Sequence, residues 1–558
     1  MTVIAASAAR AQAYGEVFTR RWVVDALLDL VGYTTDRDLG ALVLVEPSAG
    51  SGAFLLPAIE RLVASAERHG RDLSSLGPAI RAWELQAPNA AACRRFAHEL
   101  LVSHGADSQV ADRLAREWMI EGDFLRPDDD LFSAGSGQVE ADIVVGNPPY
   151  IRLEDLPPAH TASYRRRWTT MGGRADIYVG FFERSLSILR PEGRLGFICA
   201  DRWMRNQYGA NLRQHISKCA SIEAVWVMHD VDAFESQVSA YPAITVLRKG
   251  RQGPVLAADA NENFGEAECR NLLAWSVSEN REAEFQDESV SAYRLPHWFP
   301  GDESWPTGSP ARLRLIEHLN DTFYPLHDPR TKTRVGIGVA TGADKIFVTS
   351  DSDAVEAERL LPLAMVRDLA TGQFQWSGQY LVDPWGLDGK LIELSDYPKM
   401  AAYLHDRGSE LRERFVARRA PESWFRTIDK VDHSLVDRPK LLLQDMRTTI
   451  HPVLERGGCY PHHNLYYVVS DTWDMEVLGG ILLSRIAQAF IEAYCVRMRG
   501  GTLRFQAQYL RRIRVPAYHE LSEPVRLALA TAFRDRDVPA ATAAALDAYK
   551  LDSERLLD

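Results

Sequence analysis

The chain has 558 residues, of which 46% are hydrophobic and 25% charged, a composition that is ordinary for a globular protein of two or three domains. Its formal net charge of −12 argues against a general nucleic-acid coat, which is usually basic, but not against a DNA enzyme, whose phosphate contacts are local. No run of about 18 apolar residues occurs, and the first residues lack a basic segment before a long apolar stretch, so we expect a cytoplasmic protein with no membrane span and no signal peptide.

The first 249 residues alternate short apolar segments with helical patterns. The helical patterns include residues 54–68 and 87–101. The predicted strands are residues 41–46, 79–84, 118–123, 141–146, 194–199, 222–228 and 243–247. This alternation is typical of a doubly wound, Rossmann-like α/β sheet, in which ligands bind at the carboxyl ends of the strands.

Small residues follow the first predicted strand. Residues 46–52 include Ser48, Gly50 and Gly52, which let the backbone pass close to a ligand and turn sharply into the next helix. Such a turn also occurs where no ligand binds, so by itself it is weak evidence for a nucleotide site.

Acidic residues stand at the ends of three successive predicted strands. Glu46 ends the first, and Glu84 ends the second, where a carboxylate can accept hydrogen bonds from ribose hydroxyls. Asp123 ends the third and can bind an adenine amino group, while the ring of Phe124 covers the base. Each acid alone is more often a helix cap or a solvated loop residue, but together they indicate a cofactor pocket.

A tetrapeptide of Asn147, Pro148, Pro149 and Tyr150 follows the fourth predicted strand, at the edge that faces the same crevice. An amino group conjugated to an aromatic ring is a poor nucleophile, and two oxygen acceptors can hold its hydrogens and draw the nitrogen toward a methyl donor. The Asn147 side chain and the Pro148 carbonyl can supply these acceptors, and the prolines stiffen the geometry. Tyr150 offers a ring face on which a flipped base can stack.

In this order, the motifs resemble the gamma class of DNA amino-methyltransferases, and in particular the TaqI-like adenine-N6 enzymes. The resemblance extends from residue 14 to residue 249 and includes the N-terminal segment 14–20. It implies S-adenosylmethionine as the cofactor and the N6 amino group of adenine in DNA as the methyl acceptor. The cofactor contacts that it implies are those of Thr19 with the methionine carboxylate, Glu46 with the methionine amino group, Glu84 with the ribose, and Asp123 and Phe124 with the adenine.

Two further positions bear on this resemblance. Residues 233–239 resemble the segment that carries a second base-stacking ring, which would place Phe234 opposite Tyr150. The alternative for Phe234 is a core phenylalanine beside the last two strands. Gln86 stands where the family usually has another acid, two residues after the glutamate, so the chain departs from the family at a position that supports the ribose or adenine contact.

After residue 249 the strand–helix alternation ends. Residues 250–300 are polar and irregular and are predicted to be a linker. Residues 301–558 mix helical and strand patterns, which predicts a second domain of α+β type with a mostly helical C-terminus. Residues 338–347 and 438–445 resemble recurrent stretches of the family's target-recognition domain, although these are less specific than the catalytic motif.

Arginines gather in three places where a DNA duplex would find local positive charge. The middle cluster, residues 412–426, also carries glutamates and is equally typical of a solvated helix face. The last cluster has no acid between residues 497 and 514, and Phe505 and Tyr509 are interleaved with it. The predicted DNA-binding residues are Arg152, Arg165, Arg166 and Arg167 after the tetrapeptide, and Arg497, Arg499, Arg504, Arg511 and Arg512 near the C-terminus.

The cysteines and histidines do not form a recognisable metal motif. The six cysteines include no C-x-x-C pair, which indicates reduced thiols rather than a disulfide framework. The segment 459–463 ends in His462 and His463, but no second ligand pair lies at zinc spacing. No metal site is therefore predicted.

Four other functions are weighed against this one. Protein glutamine-N5 methyltransferases share the tetrapeptide but are normally much shorter, and cytosine-N4 enzymes more often have serine at its first position. A noncatalytic DNA-binding module would not need an intact cofactor pocket. A fused endonuclease finds no room before residue 14 and no Pro-Asp…Glu-x-Lys site downstream. We therefore expect the modification enzyme of a type II restriction–modification system, a monomer whose partners are double-stranded DNA and a cognate restriction endonuclease.

Overall fold

The computed structural model of the chain describes residues 18–126, 139–235, 241–278, 284–306, 308–495 and 502–551. The chain divides into two compact units, Met1–Pro310 and Ala311–Asp558. Four predictions fall outside the described residues, namely those for Tyr14 to Val17, for residues 236–239, and for Arg497 and Arg499.

The first unit is built on a sheet of ten strands in the order β3-β2-β1-β4-β5-β7-β6-β8-β10-β9. The strands are β1 (Leu44–Glu46), β2 (Ile80–Glu84), β3 (Met119–Glu121), β4 (Ala141–Gly146), β5 (Leu189–Ala200), β6 (Ala220–Val227), β7 (Pro242–Lys249), β8 (Val255–Ala260), β9 (Glu284–Gln286) and β10 (Val290–Leu295). Strands β3, β2, β1, β4 and β5 are parallel, and β7 pairs antiparallel with both β5 and β6. The predicted Rossmann-like α/β fold is confirmed.

Nine helices of the described part of this unit connect or flank the strands. They are α1 (Arg21–Leu30), α2 (Leu55–His69), α3 (Ala87–Ser103), α4 (Ser108–Trp118), α5 (Pro158–Arg167), α6 (Tyr178–Ile188), α7 (Arg202–Arg205), α8 (Ala210–Cys219) and α9 (Glu266–Val277). Helix α2 is followed by Gly70, whose φ of +66° is left-handed. Glycine adopts this helix-ending conformation with the least strain. Apolar residues of α1 and α2, such as Val24, Leu27 and Leu62, are fully buried in one core.

The predicted linker at residues 250–300 is wrong. Strand β8 pairs in parallel with β6, and β10 joins β8 and β9 in antiparallel pairs, so this segment completes the sheet. Leu272 and Trp275 of α9 are also buried. The polar sequences that suggested a linker lie mostly in the turns between these short elements. They make the segment polar on average, although β8 and β10 are largely buried.

The second unit is of α+β type, as predicted. Its strands are β11 (Tyr324–Pro325), β12 (Arg334–Ile337), β13 (Val348–Thr349), β14 (Leu360–Ala364), β15 (Tyr380–Val382), β16 (Lys440–Gln444), β17 (Met446–Arg447), β18 (Val453–Glu455), β19 (Tyr460–Pro461), β20 (Leu465–Val469), β21 (Leu503–Arg504) and β22 (Arg514–Val515). Two four-stranded sheets have the orders β12-β20-β16-β18 and β13-β15-β14-β19. One apolar core includes residues of both sheets, such as Leu381 and Leu442.

The helices of the second unit lie in two groups, residues 310–419 and residues 475–549, and the second group makes the C-terminus mostly helical. They are α10 (Pro310–Thr322), α11 (Asp344–Phe347), α12 (Pro398–Asp406), α13 (Gly408–Glu413), α14 (Phe415–Arg419), α15 (Met475–Leu483), α16 (Arg485–Tyr494), α17 (Ala507–Leu510), α18 (Glu523–Asp535) and α19 (Val538–Tyr549). Among the described helices, none alone is long and apolar enough to cross a membrane. Helices α15 and α16 meet the criterion of length and composition only as a pair, which is bent by 62° and largely buried.

Candidate active site

A cavity of about 490 Å³ opens at the carboxyl ends of β1 to β4. The crevice at this edge is where an open α/β sheet binds its ligands. The predicted site residues that line it are Thr19, Glu46, Ser48, Gly50, Glu84, Asp123, Phe124, Asn147 and Pro149. The fold thus brings together residues from five separate stretches of the chain. Gly52, Pro148, Tyr150 and Phe234 are predicted site residues that do not line the cavity.

The turn after β1 depends on its glycines. Gly50 has φ +54° and Gly52 has φ +94°, both in the left-handed region that favours glycine. A Cβ atom on Gly50 would meet no other atom within 4 Å, so at this position the backbone conformation, and not space, requires glycine. The Gly50 amide is held in place because it donates a 2.8 Å hydrogen bond to Oε2 of Glu84.

Two carboxylates lie beside this turn, and they differ in their hydrogen bonding. Glu84 is satisfied, because its Oε1 also accepts a 2.8 Å hydrogen bond from the Gln86 amide. Glu46 is 1% exposed, and its Oε2 is buried without a hydrogen-bond partner. Burial and the nearby charge of Glu84 raise the pKa of Glu46 to about 8. A buried acid in this condition is suited to a cationic ligand, which would pair with it and restore its charge.

The third strand end is lined by an acid and an aromatic ring. Asp123 accepts hydrogen bonds at Oδ1 from the Leu125 amide, 2.9 Å away, and at Oδ2 from the Tyr164 hydroxyl, 2.7 Å away. Phe124 stacks on Phe181 with a centroid separation of 5.6 Å and an interplanar angle of 23°. The Arg184 guanidinium lies 4.1 Å from the Phe124 centroid. This arrangement presents both polar and flat apolar surface, as a purine base requires.

Asn147 follows β4 and lines the same cavity. Its Nδ2 donates a 3.2 Å hydrogen bond to Oγ1 of Thr19, which fixes the orientation of the amide and directs Oδ1 away from Thr19. Its backbone carbonyl accepts a 3.2 Å hydrogen bond from the Ser48 hydroxyl. The asparagine is therefore positioned by residues of the two earlier motifs.

The two predicted stacking rings take different positions. Tyr150 is half-buried, its hydroxyl donates to the Ile198 carbonyl at 3.5 Å, and its ring packs edge-on against Tyr178. Phe234 is 4% exposed, belongs to the hydrophobic core and forms an isolated backbone bridge with Thr19. Phe234 thus packs as the core phenylalanine of the alternative reading, and it does not present its ring to the cavity.

Two residues on helix α5 line the cavity although no sequence motif indicated them. His160 and Tyr164 are four residues apart, which places them on one face of the helix, and both line the cavity. Their spacing of four residues is visible in the sequence, but the run of arginines after Tyr164 is the stronger local feature. Phe181 on α6 was missed as well, because its helix carries no recognisable motif.

The predicted DNA-contacting arginines of the first unit lie at its surface. Arg152, Arg165 and Arg166 are exposed, and Arg167 is half-buried. Arg165 donates a 2.6 Å hydrogen bond to the Gly173 carbonyl. This part of the predicted basic surface is therefore accessible to a ligand from solvent.

The arginines of the second unit are tied more closely to the fold. Arg504 is exposed and pairs with Asp445 at 3.4 Å, and Arg511 is exposed while its Nε donates to the Val335 carbonyl. Arg512 is half-buried and stacks over Tyr494. The interleaved aromatics are core residues, since Phe505 is 2% and Tyr509 1% exposed, so neither presents a ring to a base.

Comparisons with known proteins identify the family of the chain. The Eco57I restriction-modification methylase family matches residues 105–234. Type II methyltransferase M.PaeR7I of Pseudomonas aeruginosa is 42% identical over 547 residues, which cover 97% of this chain and 93% of that protein. Type II methyltransferase M.XhoI of Xanthomonas vasicola is 41% identical over 548 residues, which cover 96% and 97%. The structure of the type IIL restriction-modification enzyme MmeI in complex with DNA covers 95% of this chain and 74% of that chain, with a TM-score of 0.58 at 12% identity, and shows a shared fold.

Proposed function

The chain belongs to the type II DNA methyltransferases of restriction–modification systems, and from this premise we propose that it transfers a methyl group from S-adenosylmethionine to the N6 amino group of adenine at a specific DNA sequence. The observation that carries the proposal is the position of Asn147. Its amide is oriented by Thr19, and it lies on the same cavity as the acids at the strand ends.

The residues of the cavity fit this cofactor. S-adenosylmethionine carries an ammonium group, and the buried, unpaired Oε2 of Glu46 is an acceptor for it. The ribose hydroxyls would be held by Glu84, and the adenine by Asp123 and the ring of Phe124. Gly50 contributes only backbone to the lining of the cavity. When bound, the cofactor supplies an electrophilic methyl group on a sulfonium.

The chain's own contribution to the reaction is to hold and orient the amine. In the proposal, Oδ1 of Asn147 and the carbonyl of Pro148 accept hydrogen bonds from the two amino hydrogens. These contacts draw electron density onto the nitrogen and align it with the methyl donor. The amine held in this way would receive the methyl group of the bound cofactor and would then lose its extra proton to solvent. Pro148 and Pro149 restrict the backbone and keep these acceptors in register.

An adenine inside a duplex cannot bring its amino group to this cavity, so the target base must leave the stack. Tyr150 follows the acceptors directly and is the ring proposed to stack on the extruded base, which offsets roughly 1–3 kcal/mol of the unstacking cost. Because Phe234 is buried in the core, it could act as the second ring only after a rearrangement when DNA binds. Phosphate contacts are assigned to the exposed Arg152, Arg165 and Arg166.

Recognition of the DNA sequence is assigned to the second unit. All cofactor and catalytic motifs lie in Met1–Pro310, which leaves Ala311–Asp558 without a part in the chemistry. Exposed Arg504 and Arg511 are candidates for contacts in that unit. A restriction endonuclease that cuts the same unmodified sequence is the expected cognate partner.

One experiment tests this function directly. The chain is expressed in a host that lacks DNA methylation, and modified bases are mapped across the genome by single-molecule sequencing. N6-methyladenine at one recurrent sequence, absent with Asn147→Ala, would support the proposal. N4-methylcytosine at that sequence would contradict the base assignment but keep the site, and an unmodified genome with methylated protein glutamine would overturn the function.

A further inference from the structure

Three potential metal ligands meet in the second unit, although the sequence suggested no metal site. Asp344 begins helix α11, and His462 and His463 directly follow strand β19. One nitrogen or oxygen from each residue can be chosen so that all three atoms lie within 4.8 Å of one another. The histidine pair is visible in the sequence, but its third partner is not, because Asp344 lies 118 positions from His462.

The geometry suits a small divalent cation. Nε2 of His462 lies 3.1 Å from Oδ2 of Asp344. Around a tetrahedral zinc ion, with bonds of about 2.0–2.2 Å to nitrogen and oxygen, two ligand atoms are separated by about 3.3 Å. A cation therefore needs only a small adjustment of the side chains to be held by this pair.

The histidines also have unmet bonding capacity. His462 is 2% exposed, and the Nδ1 atoms of both His462 and His463 are buried without a hydrogen-bond partner. Buried polar atoms are almost always paired. Each ring offers one nitrogen to an ion, so with Nε2 of His462 as one ligand it is the Nδ1 atom of His463 that a cation would supply with a partner. The Asp344 side chain is 46% exposed, which gives a water molecule access as a further ligand.

The backbone holds the two ligand-bearing segments together before any cation binds. Val339 donates a 2.9 Å hydrogen bond to the Pro461 carbonyl, and His463 donates a 3.1 Å hydrogen bond to the Val339 carbonyl. Gly338 is required for this approach, because a Cβ atom there would lie 2.2 Å from the carbonyl oxygens of Pro461 and His462. Asp344 is fixed in turn by a hydrogen bond from the Thr341 hydroxyl.

We propose that Asp344, His462 and His463 bind a divalent transition-metal ion, with zinc the best match to two imidazoles and one carboxylate. Water completes the coordination. The ion fastens residues 338–347 to the connection between β19 and β20, and so stabilises a part of the unit to which sequence recognition is assigned. This proposal does not depend on the methyl-transfer reaction.

The chain contains its own matched control. His433 Nε2 lies 2.6 Å from Oδ2 of the buried Asp383, so these residues form an aspartate–histidine pair of the same kind. Among the described residues, this pair is not part of a group of three ligands. If Asp344 and His462 form only a hydrogen-bonded pair, variants at the two places should have the same effect on Zn²⁺ binding. If they belong to a metal site, only the variants at that site should weaken it.

The test uses untagged full-length protein that has been treated with a chelator and then titrated with Zn²⁺ in a calorimeter. We expect one saturable site per chain, and a higher melting temperature with Zn²⁺ than without it. His463→Ala should weaken this binding by more than the ~10–100-fold that altering a ligand's supporting partner costs. His433→Ala should bind Zn²⁺ as the unmodified protein does.

Circular dichroism checks that each variant is folded, and His463→Gln replaces His463→Ala if the latter unfolds. Co²⁺ titration of the unmodified protein adds a measurement that needs no variant, because tetrahedral coordination by nitrogen and oxygen ligands gives visible absorption bands. Absence of saturable Zn²⁺ binding, or binding that is equally strong without His463, would overturn the proposal.

Discussion

The amide nitrogen of Asn147 donates a 3.2 Å hydrogen bond to the hydroxyl of Thr19, a residue 128 positions away in the sequence. Thr19 is assigned to the methionine end of the cofactor, and Asn147 is assigned to the amino group that receives the methyl. The bond therefore links the donor side of the cavity to the acceptor side, and it decides which atom of the Asn147 amide faces Thr19.

Replacement of Thr19 by valine should slow methyl transfer even when the cofactor is saturating. Valine keeps the shape but removes the acceptor, so the Asn147 amide loses a bond worth about 1 kcal/mol, and a decrease of about 5- to 10-fold in the single-turnover rate is expected. Thr19→Ser keeps the hydroxyl and should stay near the original rate. Equal rates for the two variants would show that the hydrogen bond does not matter for catalysis.

Asn147→Ala should reduce the turnover number much more than it changes cofactor binding. Loss of one preorganised acceptor typically lowers turnover by about 10²–10³-fold. The cofactor dissociation constant, measured by calorimetry, should change by less than about threefold, since the assigned partner of the side chain is the base. A variant that binds the cofactor poorly but turns over normally at saturation would reverse this assignment.

Glu46 should couple cofactor binding to pH. Burial and Glu84 raise its pKa to about 8 in the free protein, so at neutral pH binding of the ammonium group must displace a proton from Glu46. Affinity is therefore expected to rise from pH 6 toward pH 8 and then to level off. Calorimetry in buffers of different ionisation enthalpy should detect proton release at pH 7, and Glu46→Gln should abolish both effects.

The same residue should lower the stability of the free protein at high pH. A carboxyl whose folded pKa is raised contributes stability that is fully present below its unfolded pKa and is lost as pH rises toward its folded pKa, here between about 4.5 and 8. Free Glu46→Gln should therefore be more stable than the unmodified protein near pH 8, by roughly 2–4 kcal/mol. Denaturant unfolding at pH 5 and pH 8 checks this, and a difference that does not grow with pH would contradict it.

Tyr164→Phe should weaken cofactor binding without changing the chemical step. The lost hydroxyl donates to Asp123 at 2.7 Å and helps to position the carboxylate assigned to adenine. We expect KM for the cofactor to rise by about 3- to 10-fold, the effect of losing one hydrogen bond worth about 1 kcal/mol, with kcat unchanged. Tyr403→Phe is a matched control, since its hydroxyl also donates a 2.7 Å bond, but to Ile346 in the second unit. An equal change in KM for both variants would mean that the rise in KM reflects a general loss of protein stability and not the contact with Asp123.

The corrected domain boundary can be tested with two fragments. A fragment that ends at residue 310 keeps the whole ten-stranded sheet, so it should fold and bind the cofactor while losing sequence-specific methylation. A fragment that ends at residue 249 exposes the edge of β6 that β8 covers, and it should aggregate. Light scattering measures the aggregation of the two fragments, and calorimetry measures their cofactor binding. A well-folded 1–249 fragment would support the prediction that residues 250–300 are a linker.

The sequence by itself determined the α/β class and the motifs at the strand ends. Burial repeats along a strand or helix with a fixed period, and a ligand-binding turn needs particular residues next to one another, so both leave a local record. The positions of Glu46, Glu84, Asp123 and Asn147 on one cavity were predictable for this reason, because parallel strands end at the same edge of the sheet.

Only the tertiary structure decided the contacts between distant residues. Thr19 meets Asn147, Tyr164 meets Asp123, and Asp344 meets His462 across 128, 41 and 118 positions of sequence. Residues 250–300 were misread as a linker because their short strands are stable only when paired with the rest of the sheet. No local pattern encodes such pairings, since they are fixed by the packing of elements that the chain brings together only when it folds.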